Sequence, residues 1–170
     1  MGEGVEGLSP GDAVSLVPPR SMLRSPVHGE LVTVPAELAI QHPPTLSWEA
    51  AAASWMQYLT AYGALIDIAR LGRGEHVVIT AASSSVGLAA IQIANRVGAI
   101  PIAVTRTERK ASALREAGAA HVIASAEEDI EARLKEIAGE NGVRVVFDAV
   151  AGPAFLPLTA AMARGGVLIE

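Results

Sequence analysis

Strict alternation of strand-like and helix-like segments is the feature that most constrains how this chain folds. From residue 76 to residue 169, short apolar runs rich in Val and Ile alternate with amphipathic stretches. Apolar strands without polar alternation are typical of parallel sheets that are covered by helices on both faces. The pattern therefore predicts an α/β fold with a doubly wound parallel sheet, whose strands are 76–80, 100–105, 121–124, 143–148 and 166–169 and whose helices are 86–97, 108–117, 127–138 and 153–163.

The first part of the chain has a different texture. Residues 1–46 hold most of the prolines, and only 13–17 and 30–35 alternate like short strands between Pro and Gly turns. From Ser47 the apolar spacing becomes helical and stops at the glycines at 72 and 74. We therefore expect a partial β-rich segment over 1–46 and a second domain over 47–170.

Composition excludes several classes of function. A net charge of −5 and the lack of a basic run argue against nucleic acid as a partner. With no cysteine, disulfides, thiolate metal sites and thiol nucleophiles are excluded. The first residues lack the apolar stretch of a signal peptide, and the longest apolar run is too short to span a membrane. We expect a soluble, cytoplasmic protein with a small-molecule substrate.

The loop TAASSSVG at 80–87 joins the first strand to its helix. In a parallel sheet such a turn brings the free N–H groups of a helix N-terminus to a diphosphate, and only small side chains let the phosphates approach. Ser83, Ser84 and Ser85 could add hydroxyl donors, and Gly87 would let the helix pack closely on the strand. The loop departs from G-x-G-x-x-G, so an ordinary tight turn is the alternative interpretation.

The end of the second strand favours one cofactor. A carboxylate at this point selects the free 2′-hydroxyl of NADH, whereas basic residues select the 2′-phosphate of NADPH. Here the chain has Thr105 in place of an acid, followed by Arg106 and Lys110. The sequence therefore predicts NADPH rather than NADH, while Arg109 is interpreted as part of a solvated helix face.

Taken in order, several segments resemble the medium-chain dehydrogenase/reductase superfamily, especially its zinc-independent quinone oxidoreductase and alcohol dehydrogenase-like branch. They are GDAVSLVP (11–18), GELVTVPAELAIQHPPTLSWEAAAASWMQYLTAYGAL (29–65), GEHVVITAASSSVGLAAIQIANRVGA (74–99), LREAGAAHVI (114–123) and VRVVFDAVAGPAF (143–155). The resemblance implies a Rossmann-like cofactor domain that lacks its last strand, preceded by part of a GroES-like catalytic domain. Relative to the family, the chain is expected to be truncated at both ends.

The resemblance also implies positions for the cofactor. Ser84, Ser85 and Val86 would lie under the diphosphate, and Thr105, Arg106 and Lys110 around the adenosine end. The turn after the fourth strand would contribute Ala149, Val150 and Ala151, and Thr60 would lie near the nicotinamide. The short-chain dehydrogenases are a weaker match, because they need a Tyr followed four residues later by Lys. The tyrosines, Tyr58 and Tyr62, have no such Lys and precede the first strand.

No catalytic acid and no metal site are predicted. The histidines at 28, 42, 76 and 121 have no ligand-like spacing, although His28 has the best claim to a role, and no zinc is expected. Asp148 ends a strand, where a carboxylate usually caps the next turn. Trp55, Gln57 and Tyr58 could line a substrate cleft, with core packing as the alternative for Trp55.

These observations predict an NADPH-dependent oxidoreductase that transfers hydride to a quinone, an enone or a small carbonyl compound. The alternatives are a nucleotide-binding fragment without turnover, and a structural or interaction domain that retains the fold. If the sheet order is 3-2-1-4-5, the strand at 166–169 forms an exposed edge. We therefore expect a homo-oligomer that associates through this edge.

Overall fold

The computed structural model describes residues 1–19, 21, 23 and 25–170. Contacts divide the chain into two units, Met1–Met56 and Gln57–Glu170. This division falls inside a helix that begins at Trp48. The domain boundary at residue 47 therefore stays a prediction.

The first unit contains a two-stranded antiparallel sheet. Strand β1 (Val14–Leu16) pairs with β2 (Ala39–Gln41). The strand expected at 30–35 is wrong, because these residues form bends and coil. Leu31 is 96% exposed, so the apolar alternation there does not correspond to a buried face. Helix α1 (Trp48–Tyr62) follows, with its first turn capped by Ser47 Oγ, which accepts from the Ala50 amide at 3.2 Å.

The second unit is built on the predicted parallel sheet. Its strands are β3 (His76–Ile79), β4 (Ile100–Thr105), β5 (His121–Ala124), β6 (Val143–Phe147) and β7 (Met162–Ile169). All pairings are parallel and the order is β5-β4-β3-β6-β7. This is the 3-2-1-4-5 order of a doubly wound, Rossmann-like sheet, and it confirms the predicted fold class.

Helices cover both faces of this sheet, namely α2 (Ser85–Val97), α3 (Ala111–Glu116), α4 (Ile130–Ala138) and α5 (Phe155–Ala160). Successive residues of β3 point to opposite faces. Val77 lies in one buried cluster with Ile91 of α2, and Val78 in the other with Leu134 of α4 and Leu158 of α5. The continuous apolar strands are thus explained by two separate cores.

Some boundaries differ from the sequence-based expectation. Helix α4 begins at residue 130 rather than 127, because Asp129 Oδ1 caps it by accepting from the Ala132 amide at 2.9 Å. Helix α5 ends at residue 160 rather than 163, because Met162 already pairs with Val143. Strand β7 is therefore longer than the predicted strand at 166–169, and its register shifts along β6 between Val143 and Val145. Within the described ranges, no helix is both long and apolar enough to cross a membrane.

Candidate cofactor-binding site

The loop after β3 brings α2 unusually close to the strand. A Cβ built on Gly87 would lie 2.6 Å from the backbone oxygen of Ala82 and 2.7 Å from its Cα. Since backbone atoms cannot move aside as a flexible side chain can, only glycine fits at this position. The close packing predicted for Gly87 is therefore present.

Helix α2 begins directly after this loop, at Ser85. Ser84 is its N-cap, and Ser84 Oγ accepts from the Gly87 amide at 3.0 Å. The amides of Ser85 and Val86 begin the helix and have no acceptor within it. Ser84 and Ser85 are both exposed. Free amides and the positive end of the helix dipole suit an anionic group such as a diphosphate, but the Ser84 hydroxyl is already engaged in the cap.

A cavity of about 460 Å³ opens at the carboxyl edge of the sheet. It lies where ligands bind in parallel α/β folds. Five of the predicted cofactor residues line it: Ser83, Thr105, Arg106, Lys110 and Val150. The other predicted residues lie outside its lining: Thr60, Ser84, Ser85, Val86, Ala149 and Ala151.

The wall formed by the end of β4 is cationic. Arg106, Arg109 and Lys110 are exposed and all three line the cavity. Lys110 Nζ donates a hydrogen bond to Ser83 Oγ at 2.9 Å, which joins this wall to the loop after β3. Arg109 is solvated as predicted, but its position in the cavity wall was not anticipated. These cations suit an anionic group such as a phosphate.

Sequence reasoning missed several residues of the lining. Ser125 follows β5 and Ile130 begins α4, so both arrive at the carboxyl edge because β5 lies beside β4. The predicted strand order could have placed these two residues in the cavity lining, whereas no sequence motif indicates them. The lining residues without a predicted role are Thr80, Ala81, Val104, Thr107, Arg109, Ser125, Ile130 and Ala154.

The turn after β6 is organised by Asp148, which is only 2% exposed. Its Oδ1 accepts from the amides of Val150 at 3.0 Å and Ala151 at 3.2 Å, so it caps the turn as the sequence suggested. It also accepts from the hydroxyl of Thr80, on the loop after β3, at 2.6 Å. Among the described residues, the buried Asp148 Oδ2 has no hydrogen-bond partner.

The aromatic residues proposed for a substrate cleft have separate roles in the structure. The Tyr58 hydroxyl donates to Gln92 Oε1 on α2. Within the first unit, Trp55 lines a different cavity of about 310 Å³ together with Trp48 and Ser15. Of the residues described, no three His, Cys, Asp or Glu side chains come together as metal ligands. The chain's described residues thus do not fit a zinc ion.

Comparisons with known proteins agree with this architecture. Residues 85–170 match the zinc-binding dehydrogenase family, which is half of the chain. Over all 170 residues the chain is 35% identical to quinone oxidoreductase 1 of Escherichia coli (strain K12), and it spans 51% of that protein.

Solved structures of oxidoreductases share the fold of this chain. The crystal structure of Escherichia coli quinone oxidoreductase complexed with NADPH has a TM-score of 0.72 at 38% identity, over 78% of this chain and 41% of that one. The CurK enoyl reductase has a TM-score of 0.74 at 29% identity, over 79% and 40%. The family model matches half of the chain, and relatives with 35–38% sequence identity have the same parallel sheet. The chain therefore belongs to the zinc-binding dehydrogenase family of the medium-chain dehydrogenase/reductase superfamily.

Proposed function

We propose that this chain binds NADPH and supplies the cofactor domain of an oxidoreductase of the medium-chain type. The observation that carries the proposal is the cavity at the carboxyl edge, which has a small-residue loop on one side and three cations on another. The relative whose structure holds NADPH is 38% identical. Bound NADPH would supply a hydride, and the protein would orient it.

The residues that line the cavity and the predicted cofactor residues outside its lining have distinct tasks in this proposal. The amides of Ser85 and Val86 at the start of α2 bind the diphosphate, and Gly87 lets the helix come close enough to do so. Arg106 and Lys110 bind the 2′-phosphate through charge-assisted hydrogen bonds. Val150, in the turn after β6, and Thr60, on α1, lie along the nicotinamide half. We assign no catalytic acid and no metal.

The hydride acceptor is proposed to be a small molecule with an electron-poor double bond, which is either a carbonyl group or an alkene conjugated to one. Quinones, enones and small carbonyl compounds belong to this class. The names of the relatives include a quinone oxidoreductase and an enoyl reductase. Both names fit such an acceptor, and the choice between them rests on residues of the substrate side that the cavity does not contain.

A second candidate is nucleotide binding without turnover. It is favoured by one fact, namely that the chain spans 51% of the quinone oxidoreductase it resembles. If residues outside the matched part orient the acceptor, this chain would bind NADPH and transfer no hydride. Oxidation of NADPH in the presence of an enone distinguishes the two candidates.

Calorimetric titration with NADPH and with NADH tests the proposal. We expect tighter binding of NADPH, and Arg106→Asp should weaken NADPH binding about tenfold or more while it changes NADH binding little. Arg96→Asp is the matched control, since Arg96 is exposed in the last turn of α2 and does not line the cavity. Equal affinity for the two cofactors would contradict the assignment of Arg106, and no binding of either would overturn the proposed function.

Three further expectations accompany the proposal. Residues 1–46 form part of a β-rich catalytic domain, and 47–170 the cofactor domain. The chain associates with a second copy through the edge strand β7, whose one partner among the described strands is β6. We place the protein in the cytoplasm, with no nucleic acid or membrane as partner.

A further inference from the structure

The turn after β6 holds a backbone conformation that alanine rarely adopts. Ala151 has φ 58° and ψ −159°, in a region of backbone space that belongs almost wholly to glycine. Its amide donates to Asp148 Oδ1 at 3.2 Å, and the Val150 amide donates to the same oxygen at 3.0 Å. Asp148 thus holds Ala151 in a strained conformation.

Thr80 connects this turn to the loop after β3, because β3 and β6 are neighbours in the sheet. Its hydroxyl donates to Asp148 Oδ1 at 2.6 Å and accepts from the Ala149 amide at 2.9 Å. The same residue lines the cavity, as Val150 does. One buried hydroxyl therefore fixes the distance between the two turns, each of which contributes a residue to the cavity lining.

The arrangement is poorly explained by stability alone. A buried carboxylate is costly, and each oxygen that lacks a donor adds to the cost. Asp148 Oδ2 has no donor among the residues that the structure describes. A strained alanine and an unsatisfied buried oxygen in one turn beside a cavity are features that proteins retain where the position of the turn serves a ligand.

We propose that Asp148 and Thr80 are positioning residues that hold the turn 149–151 against the nicotinamide half of the dinucleotide. This inference rests on the proposed function, because it names which part of NADPH the turn serves. Neither side chain needs to touch the cofactor, since the Thr80 hydroxyl is occupied on both sides and Asp148 is buried. Arg106 and Lys110 follow β4, which lies on the opposite side of β3 from β6, and they act independently of Asp148 and Thr80.

The matched variants are Thr80→Val and Thr80→Ser. Valine keeps the shape and removes the hydroxyl, whereas serine keeps the hydroxyl. Binding is measured with NADPH and with adenosine 2′,5′-bisphosphate, which carries the 2′-phosphate but no nicotinamide. We expect Thr80→Val to weaken NADPH binding about tenfold, as the loss of a shared buried hydrogen bond predicts, and to leave the bisphosphate within about twofold. Thr80→Ser should restore NADPH binding.

Equal losses for both ligands, or no loss for either, would overturn the inference. So would a serine variant that binds as poorly as the valine variant. If the wild-type chain binds neither ligand, the proposed function fails instead. In that case hydrogen exchange of the amides of residues 149–151, measured without ligand, still tests the positioning itself. We expect faster exchange in Thr80→Val than in Thr80→Ser, and equal rates would contradict it.

A second variant, Ala151→Gly, checks the strain without altering Asp148 or Thr80. Glycine adopts positive φ without strain. We therefore expect a higher melting temperature for Ala151→Gly than for the wild-type chain. A lower melting temperature would show that Ala151 is not held under strain, and the proposed role of Asp148 would be rejected.

Discussion

Lys110 Nζ donates to Ser83 Oγ across 2.9 Å, although 27 residues separate them in the chain. The contact directs a cation from the end of β4 towards the loop after β3. An oriented ammonium loses less conformational freedom when it binds a phosphate. Ser83 is therefore expected to act on phosphate binding through Lys110.

We predict that Ser83→Ala weakens NADPH binding about threefold and leaves NADH binding unchanged, as the loss of one hydrogen bond that orients a donor suggests. Titration of both cofactors measures this. In a Lys110→Ala background the Ser83 substitution should have no further effect, because the two act as one unit. Tighter NADPH binding by Ser83→Ala would instead show that the serine competes with the phosphate.

Gly87→Ala is expected to destabilise the fold. Alanine is favoured over glycine in a helix by about 1 kcal/mol, but here its Cβ would meet backbone atoms at 2.6–2.7 Å. Overpacking costs about 1–3 kcal/mol, so the clash should outweigh the gain. Urea denaturation measures the free energy of unfolding. Gly63→Ala is the control, since a Cβ there meets nothing within 4 Å and the substitution should be neutral or stabilising.

His76 is expected to make the stability of the fold depend on pH. Burial lowers the pKa of His76, and the nearby His121 lowers it further. The unfolded chain therefore binds a proton at a higher pH than the folded one. The free energy of unfolding should fall as the pH drops through the ordinary histidine value of about 6.5, and level off below the folded pKa.

Chemical denaturation at several pH values tests this sign. His76→Gln should flatten the decrease, whereas His28→Gln, at an exposed position, should not. Because His76 begins β3, at the opposite end of the strand from the cavity, NADPH binding should not change in the variant. Stability that rises on acidification through the same range would contradict the assignment.

The unpaired edge of β7 predicts association with a second copy. An apolar edge strand exposes backbone N–H and C=O groups that another strand can pair with. Sedimentation at increasing concentration should show dimers, and hydrogen exchange of the β7 amides should slow. The opposite edge, β5, serves as the internal control and should not change. A monomer at high concentration would refute the expectation.

Local patterns were sufficient to predict the sheet, since each buried strand is a continuous apolar run and the alternation with helices leaves few topologies. The need for glycine at 87 was predictable because a loop of small residues opens a helix there. The position of Arg109 in the cavity wall was not predictable, because the sequence around it has the polar pattern of a solvent-exposed helical turn. Strand β2 was not predictable either. It pairs with β1, and the connection of roughly 25 residues between them has little apolar periodicity that would indicate the pairing.

The bond between Thr80 and Asp148 also has a consequence for folding. Strand β3 meets β4 after a short connection, but the two bonded residues are 68 positions apart. Contacts between distant residues form slowly, since closing the intervening chain costs entropy. We therefore expect strands β3, β4 and β5 and the loop after β3 to assemble before the turn after β6 reaches its position. If the chain binds NADPH as proposed, full cofactor affinity would be acquired only when the second half of the sheet has docked.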